Sequence, residues 1–272
     1  VVVSAIEHPS VVNSAKALEK LGFEITFIPV DTTGLVDPDE VRKGLREDTA
    51  LVSIAHAFDT GTIQHLTEIA WVTQEYGIPL HADAVATAGR IPVDVNELGV
   101  DLLSLSADQL YGPRGVAALY CRRGMGLWPL LSGEGDERRA GTPNVAGIVG
   151  MGEAAEEASE VMVRRIDHCM RLEMQLREEL AQALGDVHFN GHPYKKLPGL
   201  VNVSIAGVEN GPLLDFLNRR GISAASSAWS PDGWAHPFAT LRFSMGEENT
   251  EEDVRRVVEA LREGVSALRG NR

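Results

Sequence analysis

Two cysteines, Cys121 and Cys169, are all that the 272 residues contain. They are too few for a disulfide framework, have no metal-ligand spacing, and fit a reducing, cytoplasmic setting. No apolar run reaches the roughly 18 residues that a transmembrane helix needs. The opening Val1-Val-Val-Ser-Ala lacks a basic leader, so no secretory signal is expected. It also lacks a starting methionine and begins inside a strand-like run, which predicts an upstream segment that is missing or supplied by another polypeptide. Positive charge is short as well. Against 39 acidic residues stand 25 Lys and Arg, a net −14, which argues against nucleic acid and anionic membrane as partners. There is no internal repeat and no low-complexity tract. What is present is 44% hydrophobic residues, enough for a substantial core, in a length that fits one large domain or one large and one small.

Val1 to Ala5 reads as a buried strand, and Pro9 through Leu21 carries helical periodicity that ends at Gly22. Glu24–Val30 and Leu51–His56 follow as strands, with a short helix between them that Asp37 caps and Pro38 starts. Leu66 to Tyr76 is helical and stops at Gly77; Ile78–Ala82 and Leu102–Ser106 are strands. This alternation, with continuously apolar strands, predicts an α/β fold with a mostly parallel sheet covered by helices. Beyond Gly150, Glu153 to Leu184 forms one long charged helical pattern leading to a smaller α/β unit with strands at Leu200–Ile205 and Ala239–Phe243. Its last helix opens on Thr250-Glu-Glu-Asp253, a variant capping box, and runs to Leu268. The expected division is a large domain over 1–157 and a small C-terminal domain over 158–272.

The segment Ser104-Leu-Ser-Ala-Asp-Gln-Leu-Tyr-Gly-Pro-Arg-Gly115 lies between two runs read as buried strands. It sits where an α/β protein presents its chemistry, just beyond a strand's carboxyl end. His56 and Asp83 occupy similar places. Yet the segment offers Asp108 and Gln109, and an amide serves neither as nucleophile nor as base.

Six ordered stretches carry a resemblance. They are Ser4-Ala-Ile-Glu-His8-Pro, His81-Ala-Asp83-Ala, Ile91-Pro-Val-Asp94, the 104–115 segment, Arg139-Ala-Gly-Thr142 and Leu241-Arg242-Phe-Ser. Together they resemble the cysteine desulfurase family, pyridoxal phosphate (PLP) enzymes of the class V aminotransferase type, from residue 1 to about 268. The resemblance implies a fold type I PLP-transferase architecture, with a large domain, a small C-terminal domain and a dimeric assembly. It makes His8 the residue that stacks on the cofactor ring and Asp83 the partner of the pyridinium nitrogen. Ser106 would bond the phosphate, Thr142 would reach the phosphate of the neighbouring subunit, and Arg242 would clamp the substrate carboxylate. Taken without the resemblance, His8 serves equally as a helix-start residue, Asp83 as a structural cap, and Thr142 and Arg242 as interface or salt-bridge residues. His56, His188 and His192 have no metal-like spacing, and no metal is expected. Trp229 and Trp234 read as core aromatics or as a partner surface.

The departures from the family are concentrated at chemistry. Where the family has His-Lys, this chain has Asp108-Gln109, so the lysine that makes the Schiff base is missing. The Asn-Asn-Glu after the histidine is Phe58-Asp59, one residue shorter, and the glutamine three residues after the ring aspartate is Ala86. The loop expected to hold the catalytic cysteine, Ala224 to Gly233, contains none, and Trp229 falls near that place. Glu134 and Asp136 add negative charge to the stretch before Arg139, and the upstream stretch with the phosphate-cradling Gly-Gly-Thr loop is not found.

These losses predict a degenerate homologue with no covalently bound PLP. It would be a non-catalytic homodimer subunit, or a heteromer with a desulfurase-like chain or a separate N-terminal lobe, in sulfur metabolism. In that setting His8, Asp83, Ser106 and Thr142 would be vestigial or serve the partner's cofactor. The alternative is an enzyme using noncovalently held PLP or altered chemistry on an amino-acid substrate, with Asp108 as base, its pKa raised by burial.

Overall fold

The computed structural model describes residues 1–130, 132–136, 139–229 and 237–270. Its first half is a sequence of short strands and helices: β1 (Val2–Ser4), α1 (Pro9–Glu19), β2 (Thr26–Ile28), α2 (Pro38–Gly44), β3 (Val52–Ala55), the hairpin β4 (Ala57–Phe58) and β5 (Thr62–Ile63), α3 (Leu66–Glu75), β6 (Leu80–Asp83) and β7 (Leu102–Ser106). A 3-10 turn over Ala107–Leu110 leads into β8 (Ala117–Cys121). The main sheet has the order β2-β1-β3-β6-β7-β8. All its pairings are parallel except that of β7 with β8. Every residue of β1 and β3 is buried, as expected of central strands with both faces covered. Their apolar side chains join those of α2, α3 and β6 in one core.

The expectation of a buried strand after the 104–115 segment is corrected. β8 runs antiparallel at the sheet edge, and its first three residues, Ala117, Ala118 and Leu119, are exposed. An apolar run marks a strand but not how many of its faces are covered.

The small unit holds β11 (Val187–Phe189), β12 (Leu200–Ala206), α5 (Asn210–Asn218), β13 (Ala225–Ser226), β14 (Phe238–Ser244) and α6 (Glu251–Gly270). Its sheet, ordered β11-β12-β14-β13, is wholly antiparallel and packs on α5 and α6 around a second core. The capping box forms as read: Thr250 Oγ1 accepts from the Asp253 amide at 3.3 Å while Asp253 takes the Thr250 amide at 2.9 Å. A two-stranded ribbon, β9 (Gly135–Asp136) with β10 (Arg139–Ala140), precedes the helix that joins the units.

That helix, α4 (Val145–Leu184), is 40 residues long and starts eight residues before the expected Glu153. Asn144 caps it by accepting from the Gly147 amide at 3.2 Å, so the apolar Val145–Met151 stretch is already helical. The expected domain boundary at 157/158 falls inside it. Ala154 and Ala158 pack with Ala88 and Leu110 of the large domain, whereas Leu172, Leu176 and Leu180 belong to the second core. Arg165, only 6% exposed, joins both. It donates to the Gly89 carbonyl at 3.1 Å, pairs with Glu247 at 3.2 Å, and lies 4.8 Å over the Tyr111 ring.

Candidate functional site

The carboxyl ends of the parallel strands open into a cavity of about 340 Å³, within the range of small-molecule sites. β1 leads to His8, β6 ends on Asp83, and β7 ends on Ser106 and turns to Gln109. Strand β14 of the small unit brings Arg242, and the tip of the β4–β5 hairpin brings Phe58 and Asp59. All seven side chains line this one cavity, together with Ala86 and Arg90. Thus His8, Asp83, Ser106, Gln109 and Arg242, spread over more than 230 positions, do converge.

Each is also engaged locally. His8 is exposed and caps α1, its Nδ1 3.1 Å from the Ser10 amide, which is the helix-start role open from the residues alone. Its ring meets Phe58 edge-on, with centroids 5.4 Å apart. Phe58 in turn lies 5.4 Å beneath the Arg242 guanidinium, which pairs with Asp59 at 3.5 Å. Asp59 has a left-handed backbone, φ 43°, an uncommon conformation outside glycine. It is held there because its carboxylate accepts from Ser227 at 2.7 Å and its carbonyl from Asn202 at 3.0 Å. The shortened hairpin therefore sets one carboxylate against the arginine and one aromatic ring between that arginine and His8. Asp83 accepts from the Val85 amide at 3.0 Å, so it is a strand-end cap as well as a cavity wall.

The 104–115 segment is tied together by its own polar groups. Ser106 Oγ donates to Asp108, and the Gln109 amide donates to the same carboxylate at 3.2 Å. Tyr111 closes the turn in a left-handed conformation, φ 63°, and the Gly112 amide returns to the Ala107 carbonyl at 2.8 Å. The expectation that burial raises the Asp108 pKa is corrected. Asp108 is exposed, and the hydrogen bond from Ser106 holds its carboxyl below the usual range. The desolvation that opposes its charge at this exposed position is outweighed by that hydrogen bond.

Thr142 is exposed and is not among the residues lining the cavity. Trp229 is partly exposed, its amide donating to Ser227 Oγ at 3.0 Å, and it too lies off the cavity lining. The remainder of the loop expected to hold a cysteine, residues 230–236 with Gly233 and Trp234, lies outside the described residues. Among the described residues no group of three or more His, Cys, Asp or Glu is placed to hold a metal ion, and no helix is long and apolar enough to cross a membrane.

Two groups at this site escape the sequence reading. Glu7, beside the strongly marked His8, is 5% exposed. One of its oxygens accepts from Ser4 at 2.6 Å and the Ala55 amide at 2.5 Å, and the other has no partner. Burial pushes its pKa up to about 8, with the nearby Asp83 charge adding to the rise. Arg90 is the other. It is the single Lys or Arg between Arg46 and Arg114, a signal that the sequence does hold.

Comparisons with known proteins agree with the fold. The family model described as aminotransferase class-V matches residues 1–257. The chain is 40% identical over 286 residues to the cysteine desulfurase IscS of Dictyoglomus turgidum, covering 99% of this chain and 73% of that protein. It is 42% identical over 289 residues to the IscS of Methanosarcina thermophila, covering 99% and 70%. Among solved structures, a NifS-like protein superposes with a TM-score of 0.91 at 34% identity, covering 98% of this chain and 75% of that one. A NifS-like protein from Rickettsia africae gives 0.88 at 26% identity, covering 97% and 75%.

Proposed function

Because the chain belongs to the cysteine desulfurase family of class V aminotransferases, we propose that it is a non-catalytic member, acting through assembly with a desulfurase-like partner in sulfur metabolism. One observation carries this reading: the side chain that Gln109 presents to the cavity shared by His8, Asp83, Ser106 and Arg242 is an amide. The family is PLP-dependent, and PLP supplies an electron sink once an amine has condensed with it. An amide nitrogen has its lone pair delocalised and forms no such bond. The other residues present do not fit the cofactor either. Ser106, the phosphate candidate, gives its hydrogen bond to Asp108, and a carboxylate ionised at neutral pH repels a phosphate placed there. Phe58 meets the His8 ring at 86°, and Asp59 stands 3.5 Å from Arg242, the substrate-carboxylate candidate.

The alternative, an enzyme with noncovalently held PLP, takes support from the convergence of Asp83 and Arg242 on one cavity. It needs Asp108 as base, and a carboxylate with a lowered pKa is a poor one. Assembly is supported by several exposed apolar side chains between β8 and the first turns of α4. Trp128 and Leu130 are 95% and 97% exposed, and Leu119, Val145, Ile148 and Val149 are also on the surface. Patches of this kind mark interaction sites. Gly147 and Val116 are in close contact, which sets the start of α4 beside the strand β8 that carries Leu119.

The test is to supply the purified chain with PLP and L-cysteine and to measure sulfide and alanine. The expected result is no release above that of PLP alone. Stoichiometric or faster release of both products would remove the non-catalytic reading. Native mass measurement after affinity capture at endogenous expression tests the assembly: a second desulfurase-like chain is expected, and a lone monomer overturns it.

A further inference from the structure

The β4–β5 hairpin belongs to the large domain by sequence, yet its tip is bonded into the small unit. The Leu197 amide donates to the Gly61 carbonyl at 2.8 Å, and the Ile63 amide to the Lys195 carbonyl at 2.9 Å. The His192 amide donates to Thr62 Oγ1 at 3.0 Å. Behind the tip runs a chain of buried polar side chains, Ser227, Asn202, Asn190, Ser204 and Thr240. Asp59 sets its direction. A carboxylate accepts and does not donate, so Ser227 gives Asp59 its one hydroxyl proton, at 2.7 Å. Ser227 Oγ is then left to accept, and it takes Asn202 Nδ2 at 2.9 Å and the Trp229 amide at 3.0 Å. Asn202 Nδ2 also serves the Asp59 carbonyl, at 3.0 Å, so the Asn202 oxygen turns to Asn190 Nδ2, at 2.8 Å. Asn190 Nδ2 donates again to Ser204 Oγ at 2.9 Å, and the Ser204 and Thr240 hydroxyls meet at 2.9 Å.

We propose that Asp59 is a latch: through Ser227 it holds the segment Ala225–Trp229 in one arrangement, and its loss frees that segment while both cores stay folded. The segment is otherwise lightly tied. β13 is a two-residue strand at the edge of its sheet, and the Ser227 amide extends its pairing by one bond to the Thr240 carbonyl, at 3.0 Å. Ser227 is saturated, with one bond given and two taken, and it is 5% exposed. Without the carboxylate its buried proton has no acceptor, and the donors behind it lose the constraint that orders them. The register sets Ala225 opposite Arg242, so the freed segment flanks the small unit's side of the cavity. The left-handed backbone of Asp59 offers a rival account, in which relief of strain rather than loss of an acceptor loosens the tip. The latch needs neither cofactor nor turnover, so it stands apart from the non-catalytic reading.

Backbone hydrogen exchange, read by mass spectrometry, is compared in the whole chain and its variants, with β3 and α6 as internal references. In Asp59→Ala the segment 225–229 is expected to exchange about ten-fold faster or more, the size of a lost hydrogen bond to a charged group. The references should not change. Asp59→Gly separates the two accounts, because glycine fits the left-handed turn and has no acceptor. It should free the segment as alanine does, and native protection in Asp59→Gly overturns the latch. Asp59→Asn tolerates the turn and keeps an acceptor oxygen, so it should restore most of the protection. Ser227→Ala should free the segment at least as much as Asp59→Ala, and combining the two should add nothing to Ser227→Ala alone. Unchanged exchange in Asp59→Ala, or equal acceleration of segment and references, overturns the proposal. Should Asp59→Ala not fold, Ser227→Ala decides, and unchanged exchange there overturns it too.

Discussion

Replacing Glu7 with glutamine will abolish a loss of stability that the unmodified protein suffers between about pH 6.5 and 8. The folded carboxyl titrates near 8, against an ordinary value of 4.5. Between those values the native chain holds a proton that the unfolded chain has released, so stability falls as pH rises. His56 acts in the opposite sense. Burial lowers its pKa from 6.5 to about 4, so between those values the unfolded chain takes up a proton that the native chain refuses, and stability rises with pH. His81, also lowered by burial, adds to that rise. From about 4.5 to 6.5 the rise from the two histidines opposes the fall from Glu7. Above 6.5 the Glu7 slope continues, worth roughly 2 kcal/mol by pH 8 at about 1.4 kcal/mol per pH unit, while the Val1 amino group, lowered from 8.0 by burial, opposes it. In Glu7→Gln the profile should climb through the acid range, driven by the histidines, and show no fall between about pH 6.5 and 8. Urea unfolding of both proteins across this range reads the difference directly, since every other group is common to them. Parallel profiles above pH 6.5 would mean that Glu7 is ionised in the fold. A protonated Glu7 also spares Asp83 a second negative charge behind the cavity wall.

The second large effect belongs to Arg165. Its guanidinium, 6% exposed, joins helix α4 to the Gly89 carbonyl, to Glu247 of the small unit and to the face of Tyr111. Arg165→Met keeps much of the apolar stem and removes every polar contact. Breaking a buried pair by taking away one partner costs about 3–5 kcal/mol. Glu247 retains solvent access, so a loss near about 3 kcal/mol is expected. Tyr111 should respond too. Its hydroxyl accepts from the Glu247 amide at 3.3 Å, and its left-handed backbone is tolerated because both ends of the side chain are held. Denaturant unfolding measures the loss, and a change below about 1 kcal/mol would show that the clamp is cosmetic. Arg165→Lys should recover only part of it, because an ammonium cannot serve the carbonyl, the carboxylate and the ring at once.

Much of this architecture was legible in the residues, and where it was not the reason is physical. β6, Leu-His-Ala-Asp, alternates between buried and half-buried positions, while the strands β1 and β3 announce themselves because both faces are covered and their residues are largely apolar. β8 reads the same way but is exposed, since Ala117, Ala118 and Leu119 carry no mark of which neighbour they lack. Asp37 and Thr250 were recognisable as caps because capping is local. The convergence of His8, Asp83, Ser106 and Arg242 was accessible only through the family resemblance, for the contacts span most of the chain. The Asp59–Arg242 pair was hidden for a related reason. The shortened Phe58-Asp59 hairpin was visible as a deletion, but its consequence depends on where β14 lies. Asp108 was misjudged because its exposure is decided by which side of a 3-10 turn it leaves. Arg90 stands out in the sequence as the single Lys or Arg between Arg46 and Arg114, but its place in the cavity wall appears only in three dimensions.

Helix α4 carries a thermodynamic consequence. At about 1.5 Å per residue it is a rod of roughly 60 Å, and it contributes side chains to both hydrophobic cores without a linker between them. Fraying the small unit would strip Leu172, Leu176 and Leu180 of their neighbours and shorten the same hydrogen-bonded ladder that positions Ala154 and Ala158. Neither unit has a boundary at which a melting front stalls, so cooperativity extends across the whole chain and heat should unfold both units in one transition.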